Sequence, residues 1–226
     1  MVMRRLSEAD HAKVSNAIAG AEARSDGEII AVATDLSDNY HDAALHWAVV
    51  VLIATLAIFA AAPGLLRWWF EVFLGGWRPE PTLGELLTLL LVLSVAKFTA
   101  VLLILKHMAL RLALTPRATK TRRVRRRAID IFKAAAERRT AGRTGILIYL
   151  SMREHRAEIV ADEAITAVTT EETWGEAMEA LLVEVKVGRP ADGIVAAVEL
   201  IGAVLAEHFP RTAGDTNEIP DKLIEL

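Results

Sequence analysis

Acidic side chains follow two predicted strands, and they are the residues best suited to bind a metal ion. One group lies in the polar segment DLSDNYHD, directly after the apolar run EIIAVAT, and the other follows the run AEIVA. Carboxylate oxygens suit Mg²⁺ or Ca²⁺, and α/β sheets place ligands beyond the carboxyl ends of their strands. If the first and third strands are parallel, both groups meet at one sheet edge. The predicted metal ligands are Asp35, Asp38, Asp42, Asp162 and Glu163.

The same carboxylates also have a purely structural interpretation. Aspartate is a common loop and cap residue, and the spacing matches no EF-hand loop. A phosphatase would need a nucleophile or a metal-activated water, together with a cation that stabilises the developing charge. The sequence contains no P-loop pattern, and Ser151 and His155 lie in a strand-turn segment where their side chains need not meet. The catalytic residues therefore stay unassigned, and a solvated acidic loop remains an alternative to a metal site.

A run of arginines opens a helix in the second half of the chain. Its members are Arg122, Arg123, Arg125, Arg126 and Arg127. The net charge of −3 gives the chain no general attraction to nucleic acid. The run follows an apolar segment closely, and each such charge near an anionic membrane surface contributes on the order of 1 kcal/mol. We therefore expect these side chains to contact anionic lipid headgroups.

Two apolar runs, Trp47–Ala62 and Leu86–Leu105, predict a transmembrane hairpin. A helix needs about 20 apolar residues to cross the hydrocarbon core. The segment 106–127 holds nine Lys or Arg, whereas the segment between the runs holds Arg67 and Arg78. We therefore expect the protein in the inner (cytoplasmic) membrane. The positive-inside rule places both termini and the soluble domain on the cytoplasmic side. Tryptophans and phenylalanines between the runs suit the opposite interface.

Lys97 is an ionisable residue near the middle of the second apolar run. A charge at that depth costs a few kcal/mol and commonly marks a partner or a pathway. A lysine can also extend its ammonium group towards the interface. The first run offers no carboxylate as a partner, so both interpretations remain open.

The soluble segments predict an α/β fold whose small central sheet has about three strands flanked by helices. Helical periodicity covers Leu6–Arg24 and Arg122–Arg139, the second of these ending at Gly142, and two further amphipathic helices begin near Thr170 and Pro190. Ser7 with Asp10 and Thr169 with Glu172 have the spacing of capping boxes, and Pro190 suits a first helical turn. GILIYLS and AEIVA predict a β-hairpin. Residues 1–42 cannot form a core alone. We therefore predict one domain, built from residues 1–42 and 111–226, that is interrupted by a hairpin insertion at residues 43–110.

The chain resembles the TPM-domain family, specifically its bacterial membrane-protein branch. The resemblance rests on Gly27–Ile30, Arg143–Asp162, Thr169–Pro210 and Asn217–Leu226. It implies a sandwich with helices on both sides of a small sheet. It also implies activities that differ among members. Some are accessory subunits of membrane receptors, one is reported with acid phosphatase activity, and acidic loops of some members bind a divalent cation.

The sequence therefore favours a non-enzymatic, membrane-anchored module with an accessory, assembly or quality-control role. Its expected partners are the bilayer and either another membrane protein or a second copy of the chain. The alternative is a phosphatase that depends on a divalent metal.

Overall fold

The computed structural model describes residues 6–74, 80–135, 144–170, 172–212 and 219–226. The chain forms two compact units. The α/β unit contains Met1–Asp38 and Arg117–Leu226, and the hairpin unit contains Asn39–Pro116. The boundaries lie at residues 38/39 and 116/117, a few residues from the 42/43 and 110/111 expected from the sequence.

The α/β unit is built on a sheet with strand order β3-β2-β1-β4. Its strands are β1 (Glu28–Thr34), β2 (Gly145–Ser151), β3 (Arg156–Ala161) and β4 (Leu223–Glu225). β1 is parallel to β2 and β4, and β2 and β3 form an antiparallel hairpin. The α/β class and the β2–β3 hairpin are thereby confirmed. The expected number of about three strands omitted β4, because a three-residue strand is too short to show a period in the sequence.

The helices, in chain order, have the following bounds: α1 Glu8–Glu22, α2 His41–Ala61, α3 Pro63–Leu74, α4 Leu83–Ile104, α5 Met108–Leu114, α6 Arg117–Ala135, α7 Glu163–Val168, α8 Gly175–Lys186 and α9 Pro190–His208. α6 begins five residues before the expected Arg122. Its expected end near Gly142 lies outside the described residues, as does Trp77 of the predicted aromatic segment.

The sheet is covered on both faces, so β1 and β2 are buried along their whole length. This burial explains why both strands are continuous apolar runs. α1, α8 and α9 cover one face, where the strand residues are Ile29, Ala31, Ala33, Ile146, Ile148 and Leu150. α6 covers the other face with Val124, Ala128 and Phe132, which pack on Ile30, Val32, Leu147 and Tyr149.

Three helix ends test the cap predictions. Ser7 and Asp10 form the expected capping box at the start of α1, with each side chain accepting from the backbone N–H of the other. Thr169 was expected to begin a helix with Glu172, and that prediction is wrong. Thr169 instead ends α7, where its hydroxyl donates to the carbonyl oxygen of Ile165 at 2.7 Å. Pro190 lies in the first turn of α9 as expected.

Gly202 lets α9 approach α1 closely. A Cβ atom built on Gly202 would lie 2.6 Å from the Ala21 Cβ and 3.3 Å from the Ala21 Cα. The obstacle is partly backbone, so a rotamer change cannot remove it. Gly20 of α1 has open space where its Cβ would be.

In the hairpin unit, α2 packs against α4, and α3 lies between them in the chain. The α2 residues at this contact are mostly small, with Ala44, Ala48 and Thr55 buried together with Phe59. Small residues let apolar helices approach closely. No helix was predicted for the segment that follows the first run. It forms the helix α3, which buries Leu66 and Phe70.

Candidate functional site

The two predicted acidic groups lie at opposite edges of the sheet. β1 is parallel to β2, and β2 is antiparallel to β3, so the carboxyl ends of β1 and β3 point in opposite directions. Asp35 and Asp38 therefore follow β1 at one edge, and Asp162 follows β3 at the other. The premise that the first and third strands are parallel is therefore wrong. β2 and β3 form the predicted hairpin, but β1 is parallel to β2 and so runs antiparallel to β3.

Each group of carboxylates has a local structural role. Asp35 pairs with Arg153 in a two-point contact, from Nε to Oδ1 at 3.0 Å and from an Nη to Oδ2 at 2.9 Å. Asp162 accepts from the Gly145 N–H at 3.2 Å and precedes α7, whose first turn contains Glu163. Asp42 belongs to the hairpin unit. Among the described residues, no group of three His, Cys, Asp or Glu has metal-binding geometry, so the proposed Mg²⁺ or Ca²⁺ site gains no support.

Glu154 connects the β2–β3 turn to the loop after β1. Its carboxylate accepts from the Ser151 hydroxyl and from the Ser37 N–H at 3.1 and 3.2 Å. The Ser37 hydroxyl lies 2.9 Å from the phenol oxygen of buried Tyr149, and burial raises the pKa of that phenol. Ser151 is thus occupied by Glu154 rather than by His155, whose Nδ1 lies 3.3 Å from the Arg153 carbonyl oxygen. The sequence did not single out Glu154, because a charged residue in a turn is ordinarily solvated.

Replacing Glu154 with alanine is expected to loosen the loop after β1. The change leaves the Ser37 N–H without its acceptor, at a cost of about 2 kcal/mol for a partly buried donor. Amide hydrogen exchange of the peptide that contains residues 35–38, followed by mass spectrometry, should accelerate by about tenfold or more. Glu179→Ala on the exposed face of α8 is the matched control. Equal exchange in the two variants would contradict this role.

Three further carboxylates gather at the opposite end of β1. Glu22 of α1 is 6% exposed, and its Oε1 accepts from the Ile29 N–H at 2.8 Å. Burial raises the pKa of Glu22 to about 9, helped by a hydrogen bond with Asp221 and by the charge of Glu28, and opposed by the Ile29 N–H. Glu28 accepts from the Ile219 N–H at 3.2 Å. These contacts hold the C-terminal tail on the sheet and give Glu22 a proton at neutral pH.

The arginines of α6 line a cavity of about 580 Å³ in the α/β unit, which we call the arginine cavity. Its lining consists of Ser37, Asp38, Arg122, Arg123, Arg126, Arg127 and Asp130. Arg123 donates to Asp38 at 2.7 Å. Arg125 is exposed and lies outside the lining. The predicted basic run therefore divides into four residues around a cavity and one residue on the open surface.

Lys97 lies over an aromatic ring of the neighbouring helix. Its ammonium nitrogen is 5.7 Å from the ring centroid of Phe59 in α2. A cation in this position is attracted by the negative face of the ring. The apolar hairpin thus supplies Lys97 with an aromatic partner, although its sequence contains no carboxylate in the first run. One turn away on α4, the Ser94 hydroxyl is buried with no hydrogen-bond partner among the described residues.

α2 and α4 are long and apolar enough to cross a membrane. The most apolar 18-residue stretch of α4 is only 6% buried and that of α2 is 22% buried, so these helices are not core helices within this chain. α3 exposes large side chains as well, with Trp68 at 54% and Phe73 at 61%. Trp69 stacks on Phe73 with ring centroids 5.1 Å apart. The hairpin unit therefore presents a broad apolar surface.

Comparison with known proteins supports the family resemblance. The family model of the TPM domain matches residues 106–204. The NMR structure of the BA42 protein from the psychrophilic bacterium Bizionia argentinensis is similar to this chain, with a TM-score of 0.57 and 17% identity, and the match covers 100% of this chain and 99% of that one. At this identity the likeness shows the fold. No curated protein matches the sequence.

Proposed function

The chain carries a TPM domain, and from that premise we propose that it is a membrane-anchored TPM module that binds or assists another membrane protein. The observation that carries this proposal is the apolar surface of α4, of which only a small part is buried. Exposed apolar area of this extent needs lipid or protein to cover it. Accessory roles in membrane complexes, which the family resemblance implies, agree with it.

Features of the hairpin support contact with a protein in addition to lipid. Lys97 is exposed on α4, and its Phe59 contact leaves the ammonium hydrogens available to an acceptor. A charge in an apolar span is expensive unless it faces a partner or reaches the interface. A second copy of the chain or a different membrane protein would provide such a partner. A two-helix hairpin is too small to enclose a transport pathway alone.

Site-specific photocrosslinking in membranes tests this proposal. A photoreactive residue in place of Leu91, which is exposed on α4, should yield one reproducible protein adduct, and mass spectrometry should identify a membrane protein or a second copy. The same residue in place of Ser94, which is buried on the same helix, is the control and should not capture that protein. Adducts with lipid alone at Leu91 would contradict a partner role.

The proposed topology has its own test. Because basic residues are concentrated after the second apolar run, a reporter inserted at Gly76 should be active outside the cytoplasm and one fused after Leu226 should be active inside. The insertion at Gly76 and the fusion at Leu226 act as controls for each other. The reversed pattern would place the TPM domain on the opposite side of the membrane and contradict the cytoplasmic assignment.

The phosphatase alternative lacks an observation in its favour. The carboxylates predicted for the metal are divided between opposite sheet edges, and Ser151 donates to Glu154. The phosphatase alternative would be restored if the protein released phosphate in the presence of Mg²⁺ or Ca²⁺, and if Asp38→Ala and Asp162→Ala each abolished that release.

A further inference from the structure

The arginine cavity combines a ligand-sized volume with unneutralised positive charge. Four arginines and two aspartates in the lining leave a formal charge of +2. Arg123 is paired with Asp38. Among the residues that the structure describes, no carboxylate forms an ion pair with Arg122, Arg126 or Arg127. The charge of the cavity is therefore not cancelled by its own lining.

The arginines are concentrated on one face of α6 because of their spacing. Arg122 precedes Arg126 by four residues, and Arg123 precedes Arg127 by four. Like charges at this spacing lie side by side on a helix and destabilise it. An anion bound between them would offset this repulsion. α6 contains two such repulsive pairs next to the arginine cavity, and this arrangement indicates an anionic ligand.

The position of the cavity in the fold agrees with ligand binding. Ser37 and Asp38 come from the loop after β1, at the edge where the parallel strands β1 and β2 end. Ligands of α/β sheets commonly bind beyond this edge. Ser37 is held in place by the Glu154 contact to its N–H and by the Tyr149 contact to its hydroxyl. When Tyr149 donates in that contact, the Ser37 hydroxyl hydrogen is free to donate to a ligand.

The side chains also indicate the chemical class of the ligand. Guanidinium groups match the oxygens of a phosphate group through paired hydrogen bonds. A volume of about 580 Å³ suits a small ligand. The Asp130 carboxylate in the lining can accept a hydrogen bond from a hydroxyl but would repel a second anionic group. We propose that the arginine cavity binds a small phosphate ester that also carries hydroxyl groups, whether free in solution or as a lipid headgroup. This proposal does not depend on the membrane-partner function.

Isothermal titration of the full-length protein in an uncharged detergent with glycerol 3-phosphate tests the proposal. The test variant is Arg126→Gln with Arg127→Gln, and the control is Arg125→Gln with Lys133→Gln, which removes the same charge from exposed positions of α6 outside the lining. The test variant should lose about tenfold or more in affinity because charge-assisted hydrogen bonds are lost. The control should change by less than about twofold.

Two results would overturn the assignment. One is an equal loss of affinity in both double variants, which would mean nonspecific attraction to a basic helix. The other is the absence of saturable binding by a wild-type protein whose circular dichroism shows it folded. The single variant Arg122→Gln gives an independent check and should also weaken binding.

The source of the phosphate group is distinguished with nanodiscs. Phosphatidic acid carries the same phosphate monoester as a headgroup. The apparent affinity for glycerol 3-phosphate is compared between nanodiscs with phosphatidic acid and nanodiscs of phosphatidylcholine. If phosphatidic acid lowers this affinity, and the variant with both Arg126→Gln and Arg127→Gln shows no such difference, the cavity binds lipid headgroups. If the affinity is the same in both nanodiscs, the ligand is a soluble phosphate ester.

Discussion

The stability of the protein is expected to fall as the pH rises from about 5 to about 9, and Glu22→Gln is expected to remove most of that fall. The pKa of folded Glu22 is raised to about 9 by burial, compared with 4.5 for the ordinary group. Between these values the folded state holds a proton that the unfolded state has lost. Unfolding therefore releases a proton, and higher pH favours the unfolded state. The stabilisation is fully present below about pH 4.5.

The slope contributed by one proton is at most about 1.4 kcal/mol per pH unit. Glutamine mimics the protonated acid, because its carbonyl oxygen can still accept from the Ile29 N–H and its amide can donate to Asp221. Urea unfolding of the full-length protein in detergent at several pH values measures the effect. Glu8→Gln, at an exposed position of the same helix, should keep the wild-type slope. A wild-type slope in Glu22→Gln would show that Glu22 is ionised in the folded protein.

The substitution Gly202→Ala is expected to destabilise the α/β unit by about 1–3 kcal/mol. The new methyl group would lie 2.6 Å from the Ala21 Cβ, so α1 and α9 must separate. The same exchange at Gly20 has open space and should instead stabilise α1 by about 0.5–1 kcal/mol, because alanine is the better helix former. Opposite signs for one chemical change are a strict test. If Gly202→Ala and Gly20→Ala have equal unfolding midpoints in urea, α1 and α9 can separate without a cost in stability, which would contradict the prediction.

Long apolar runs and contacts between near neighbours in the chain explain which elements were predicted well from the sequence. Trp47–Ala62 and Leu86–Leu105 are apolar over many consecutive residues, and the structure has α2 and α4 there. The Ser7–Asp10 capping box and the β2–β3 hairpin depend on near neighbours in the chain, so local reasoning reached them.

Contacts between distant segments explain what the sequence did not predict. β4 forms only because β1 offers a free edge to the last residues of the chain. The raised pKa of Glu22 results first from its burial in the folded protein and also from a hydrogen bond with Asp221, almost 200 residues away. The prediction that both acidic groups meet at one edge assumed parallel first and third strands, whereas the parallel pairing of β1 with β2 leaves Asp162 at the other edge. The arginine run was visible in the sequence, but its cavity depends on how α6 lies on the sheet.

Arg111 holds the ends of the hairpin unit together. It is buried, and its guanidinium donates to the carbonyl oxygens of Leu105 at 2.8 Å and Asn39 at 2.6 Å. The first of these follows α4 and the second precedes α2. One of the nine basic residues used to assign the topology is therefore an internal contact rather than a surface charge.

The Arg111 hydrogen bonds lower the entropic cost of inserting the hairpin between β1 and α6. A flexible connection of roughly 80 residues costs on the order of 2 kcal/mol more to close than one of a few residues, because the closure entropy grows with the logarithm of the length. Because Arg111 joins the two ends of the insertion, the closure entropy of the connection between β1 and α6 is close to that of a short loop. The α/β unit can thus accommodate the apolar hairpin as an insertion without the full entropic cost of a long loop.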